Sequence, residues 1–124
     1  MTGLPAAARL RRAADFAALK SAPGRLHTRH FALRWTPRSA GACRLGLAVS
    51  RKVSKLAVER NRIKRTIRES FRAERDALPA LDILVIARAS AAGDSNRGLR
   101  EDLQVAWSRL QALKPPPASV TIDG

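Results

Sequence analysis

From Ala57 to Asp76 the chain repeats apolar residues at helical spacing, and no other stretch restricts the fold so tightly. With Ile63 set at 0° and each residue advanced by 100°, Leu56, Ile67 and Phe71 fall at about 20°, 40° and 80°. They form one stripe, so this helix must lie on something apolar. By the same geometry Asn61, Lys64, Arg65, Arg68, Arg72 and Arg75 fall between about 100° and 200°, with Arg62 at the edge of the opposite flank. Between Ser50 and Arg75 stand ten Lys or Arg against three Glu. Like charges at i, i+3 and i+4 destabilise a free helix by a few tenths of a kcal/mol per pair. A solvated charged face normally mixes signs, so a one-signed strip points to a polyanion that supplies the counter-charge.

The whole chain leans the same way, with 24 Lys and Arg against 10 Asp and Glu and a net charge of +14 over 124 residues. Arginine supplies most of it, and a planar guanidinium grips phosphate in bidentate fashion and stacks on bases, as an ammonium does not. Nucleic acid is the partner class these features favour. The length suits one domain with a core of its own. A single cysteine, Cys43, has no partner for an intrachain disulfide, which agrees with a reducing compartment. No apolar run approaches the roughly 20 residues of a membrane span, and the Arg-rich start at Arg9, Arg11 and Arg12 leads into no signal-peptide core. A cytoplasmic protein is expected.

Elsewhere the pattern predicts the remaining elements. Residues 1–8 read as a disordered N-terminus, and Ala13–Lys20 as a short helix that Ser21-Ala22-Pro23-Gly24 ends. Thr28–Thr36 alternates, with Phe31, Leu33 and Trp35 on one face, as a half-buried strand does. Arg44–Ser50 alternates likewise, and the short loop between the two predicts an antiparallel pair. Asp82–Ala87 is continuously apolar after its first residue, as expected of a strand covered on both faces. Asp94-Ser95-Asn96 offers caps for a last helix through Leu99, Leu103, Trp107, Leu110 and Leu113. The Pro-rich tail, residues 114–124, reads as disordered. The order α-β-β-α-β-α predicts an α/β sandwich, helices on a small sheet.

Leu45-Gly46-Leu47-Ala48-Val49-Ser50-Arg51-Lys52, followed by Ala57-Val58-Glu59-Arg60-Asn61-Arg62-Ile63-Lys64-Arg65-Thr66-Ile67-Arg68-Glu69-Ser70-Phe71-Arg72, closely resembles the bacterial ribonuclease P protein component. The resemblance extends to Arg9-Leu10, Asp15-Phe16, Leu78-Pro79-Ala80-Leu81-Asp82 and Val85-Ile86-Ala87-Arg88, and covers roughly residues 9–110. It implies one domain over residues 9–113, an α-β-β-β-α-β-α order with a small mixed sheet, a third strand near Lys52–Ser54, and a left-handed crossover against the usual rule. It also implies a subunit of a ribonucleoprotein endonuclease, one RNA and one protein, that removes the 5′ leader from precursor tRNA. The RNA would hold the active site and its Mg2+, and the protein would bind no cofactor or metal and have no catalytic residue. Arg60, Asn61, Arg62, Lys64, Arg65, Arg68 and Arg72 would then face the catalytic RNA, and Phe16, Arg51, Lys52, Lys55 and Arg88 would line a cleft for the leader. An extended strand needs cations along its phosphates and an aromatic platform for a base; Phe16 serves either as that platform or as core. Lys20 and Arg34 stand where relatives can carry further cleft aromatics, which implies a cleft that relies more on charge.

A protein-borne phosphodiesterase site needs clustered carboxylates for two cations. The acids here are scattered, and Glu59, Glu69 and Glu74 sit among arginines as expected ion-pair partners. His27 and His30 have no third ligand nearby and read as surface or packing residues, and Cys43 as a small packing residue. Two other classes stay open: a ribosome-associated or general RNA-binding protein, and a basic membrane-surface helix, the latter disfavoured because the apolar stripe is needed by the core.

Overall fold

A computed structural model of the chain describes Leu19, Ala22 and residues 24–38 and 41–113. The expected helix Ala13–Lys20, apart from Leu19, lies outside these residues, as do segments 1–8 and 114–124. Four strands, β1 (Gly24–His27), β2 (Phe31–Pro37), β3 (Arg44–Ala48) and β4 (Leu81–Ala87), form one mixed sheet in the order β1-β2-β4-β3. Helix α1 (Ala57–Glu74) joins β3 to β4, with a 3-10 turn at Arg75–Ala77, and α2 (Asn96–Gln111) follows β4.

Two expectations about the strands are corrected. The strand expected near Lys52–Ser54 is a turn, because Ser50 accepts Val53 N–H at its carbonyl (3.0 Å) and Lys52 N–H at its hydroxyl (3.2 Å). The additional strand is β1, which makes an antiparallel hairpin with β2, so the stretch expected from Thr28 begins its strand only at Phe31. Nor do β2 and β3 pair with each other. β4 lies between them, antiparallel to β2 (Phe31↔Ala87 to Pro37↔Leu81) and parallel to β3 (Arg44↔Asp82 to Ala48↔Ile86). Five of the seven β4 residues are buried, and a strand covered on both faces belongs at the centre of a sheet, where both its backbone edges are also satisfied.

One sheet face carries both helices. Phe31, Leu33, Leu45, Ile83 and Val85 meet Ile63, Ile67 and Phe71 of α1 and Leu99, Leu103, Trp107 and Leu110 of α2 in a single core. Within it the rings of Phe71 and Trp107 lie 5.8 Å apart, tilted by 59°. The other face is covered in part by Leu19 and Ala22 on Leu84, with Ala48 and Ile86 beside them. Gly24 lies against the indole of its cross-strand partner Trp35, where any side chain would collide. Gly41 turns the chain at φ +91°, a conformation open mainly to glycine. Cys43 is buried, and burial pushes its thiol up to about 12.

Helix α2 starts as its sequence suggests, with Ser95 Oγ accepting Gly98 N–H at 3.1 Å. Its Asp102 holds the β1–β2 connection: the carboxylate accepts the Thr28 hydroxyl (2.6 Å), Arg29 N–H (3.2 Å) and His30 N–H (2.9 Å). The buried ring of His30 bridges Ser90 Oγ and Asp94 Oδ2, each at 2.9 Å.

Candidate nucleic-acid interface

Helix α1 is held to the sheet on one side and open on the other. Ile63, Thr66, Ile67, Ser70 and Phe71 are its buried residues. Leu56, expected on the same stripe, is 61% exposed, because it precedes the first helical turn and the 100° advance does not reach back to it. Asn61, Arg65 and Arg72 are exposed, and Lys64 and Arg68 half-buried. Among the described residues, none of these five side chains has an ion-pair or hydrogen-bond partner. The four cations and the Asn61 amide therefore present open donors along one flank. Arg75, predicted on the same strip, leaves it: its Nε donates to Cys43 O at 3.0 Å and ties the end of the helix to the entry of β3.

The Arg60-Asn61-Arg62 triplet divides its work. Arg60 donates to Ser54 O at 3.0 Å and so clasps the preceding loop to the helix. Arg62 donates to Glu59 Oε1 at 2.9 Å and to Oδ1 of Asn96, at the start of α2, at 2.7 Å, so it joins the two helices. Asn61 between them is exposed, and the two arginines are half-buried. Of the acids expected to pair with arginines, Glu59 does so; Glu74 instead accepts the side-chain amides of Gln104 (3.2 Å) and Gln111 (2.9 Å), and exposed Glu69 has no such pair among the described residues. The arginines next to Glu74 in sequence are placed otherwise, Arg75 donating to Cys43 O and Arg72 exposed.

A second set of cations gathers at one end of the sheet. Because β3 and β4 are parallel neighbours with Ala48 opposite Ile86, the chain leaves both at the same end. Arg51, Lys52 and Lys55 follow β3 and are exposed; Arg88 follows β4, is exposed, and donates to Thr28 O at 3.3 Å. Topology thus brings together four of the five residues expected to line a cleft, and Phe16 lies outside the described residues, as does Lys20. Arg34 sits on β2 opposite Leu84, and its Nε is buried with no hydrogen-bond partner among the described residues. Two features had no signal in the sequence: this orphaned donor, and the bidentate pair of Arg44 on Asp82 (2.8 Å twice), with Arg38 3.6 Å away, at the opposite end of the sheet. Among the described residues no three His, Cys, Asp or Glu are grouped to hold a metal ion, and no helix is long and apolar enough to cross a membrane.

A family model described as Ribonuclease P matches residues 4–111. The chain belongs to the ribonuclease P protein family. It is 35% identical over 108 residues to the ribonuclease P protein component of Thioalkalivibrio sulfidiphilus, covering 87% of this chain and 90% of that one. The component from Idiomarina loihiensis is 42% identical over 88 residues, covering 71% and 70%. Among solved structures, the Staphylococcus aureus RNase P protein superposes with a TM-score of 0.76 at 30% identity, covering 83% of this chain and 96% of that one. The Thermotoga maritima RNase P protein gives 0.73 at 30% identity, covering 82% and 96%. The mixed four-stranded sheet with two helices is the architecture of these ribonuclease P proteins, and membership makes the chain a component of a tRNA-processing ribonucleoprotein with an RNA partner.

Proposed function

We propose that the chain is the non-catalytic protein subunit of ribonuclease P, one per catalytic RNA, and that it supports removal of the 5′ leader from precursor tRNA. The observation that carries this reading is the open strip of Asn61, Lys64, Arg65, Arg68 and Arg72 on a helix whose opposite side is packed into the core. A row of cations with no partner among the described residues, carried on a helix packed into the core, suits the phosphates of a structured RNA and gains affinity through counterion release. Arg60 and Arg62 contribute by holding the loop and the second helix in register with that row, with their remaining donors turned to the RNA. The leader lies along Arg51, Lys52, Lys55 and Arg88 at the end of the sheet, with Phe16 as its aromatic platform and Arg34 adding charge. Hydrolysis and its Mg2+ belong to the RNA, and the complex works in the cytoplasm.

Reconstitution tests this directly. The protein alone is expected to leave precursor tRNA intact, the catalytic RNA alone to cleave only at high Mg2+, and the two together to cleave at low Mg2+. Robust cleavage by protein alone, or no effect of protein on the RNA, sinks the reading.

A further inference from the structure

Leu56 and Val58 are exposed by 61% and 73%, and they stand two residues apart at the start of α1. Large apolar side chains held in water forgo the gain that burial would bring. These are not frayed. Leu56 N–H is bound by Ser54 Oγ at 3.1 Å, Leu56 O accepts the N–H groups of Glu59 and Arg60 at 3.1 Å each, and Arg60 clasps Ser54 O. The backbone is pinned on both sides of Leu56, so the ordered start of the helix presents both side chains to solvent.

Leu56 is also the residue before the first helical turn, and no side chain caps the helix there. Ser, Thr, Asp or Asn is preferred at that place, and leucine is among the poorest choices. Both features therefore run against the stability of the free protein. What surrounds the pair selects its occupant. Lys55 precedes it, Arg51 and Lys52 lie in the same loop, and Asn61 stands one turn further on, all exposed. A second copy of a chain carrying +14 would bring like charge against like charge. An RNA brings phosphates to those cations, and its unpaired bases have apolar faces that an aliphatic pair covers.

We infer that Leu56 and Val58 form an apolar seat for an unpaired base of the catalytic RNA, between the loop cations and the α1 strip. This rests on the RNA-binding reading above. The seat adds buried area without neutralising a phosphate, so its contribution is independent of salt.

The test is the double substitution Leu56→Ser with Val58→Ala, measured against the catalytic RNA of the same organism by filter binding across a salt series. Serine supplies the preferred cap and alanine the best helix former, so the melting temperature is expected to stay or rise. Affinity is expected to fall about tenfold, roughly 1.4 kcal/mol, while the slope of log K against log salt is unchanged. Affinity within twofold of wild type overturns the seat alone. So does a weakening accompanied by a slope lower by about one, which signals one phosphate fewer neutralised. A wild-type dimer in sedimentation that the variant does not form hands the patch to a second copy. A wild-type chain that binds no catalytic RNA overturns the underlying reading and the seat with it.

Discussion

Trp107 of α2 donates its indole N–H to the hydroxyl of Ser70 on α1 at 2.7 Å, wholly inside the core. The helix that carries the open cations is thereby joined to its neighbour by a directional bond as well as by packing. Ser70→Ala leaves a buried donor without an acceptor, which costs about 1–3 kcal/mol. Urea unfolding should show the lower midpoint, and Ser70→Ala should cost less on a Trp107→Phe background, where no indole donor remains.

Arg65→Ala and Arg68→Ala each remove a cation that has no partner among the described residues. Stability should be unchanged within about 0.5 kcal/mol. Binding to the catalytic RNA should weaken, with the salt slope flatter by about one for each phosphate that goes unpaired. An unchanged slope places those side chains away from the RNA.

Arg62→Ala should behave differently. It releases Glu59 and Asn96, each within 2.9 Å of the guanidinium, and should lower stability by about 1 kcal/mol, as for a well-formed, partly exposed pair. Thermal melting and RNA binding measured together separate the two arginine classes: Arg62→Ala shifts the melt first, Arg65→Ala the salt slope first.

The acid limb of stability should bear the mark of Asp94. The Ser95 N–H, first, and the His30 ring hold its carboxyl below the ordinary 3.8. A carboxylate with a lowered folded value contributes stability that is fully present above its unfolded value and is lost as pH falls through the folded one. Asp94→Asn should therefore be less stable than wild type above pH 3.8, and the two should converge at lower pH in acid titrations followed by circular dichroism.

Cys43 gives a fifth expectation. A thiol pushed up to about 12 by burial is almost wholly protonated at pH 8 and inert while folded. Iodoacetamide labelling should proceed only through opening, and accelerate in Ser70→Ala as global stability falls.

Much of this molecule is legible in its residues, and the misreadings have a common cause. The stripe of Ile63, Ile67 and Phe71 and the run after Asp82 record burial directly, so α1 and β4 stand out in the sequence. Strand pairing is not recorded in alternation: β2 and β3 look like a hairpin because they are adjacent, while their shared partner lies beyond α1. β1 leaves no such mark because Gly24–His27 is too short to show a period against the loop around it. For the site, charge on a helix says which residues are basic and which flank they occupy. It does not say that Arg60 and Arg62 spend donors on Ser54, Glu59 and Asn96, since those acceptors come from the preceding loop, the helix itself and a distant helix start.

The position of β4 has a further consequence, for how the molecule is made. A ribosome delivers the chain from its N-terminus, so β2, β3 and the whole of α1 emerge before the strand that joins them. Until residues 81–87 arrive, the β1–β2 hairpin and β3 are separate pieces, each with the edge that β4 will pair left bare, and the core surface that seats α1 lacks Ile83 and Val85. Non-local pairing of this kind makes folding slow and late. The basic helix is thus synthesised early and gains its packed support only when the middle strand slides home, so a nascent chain stopped before Leu81 carries the helix's charge without its shape.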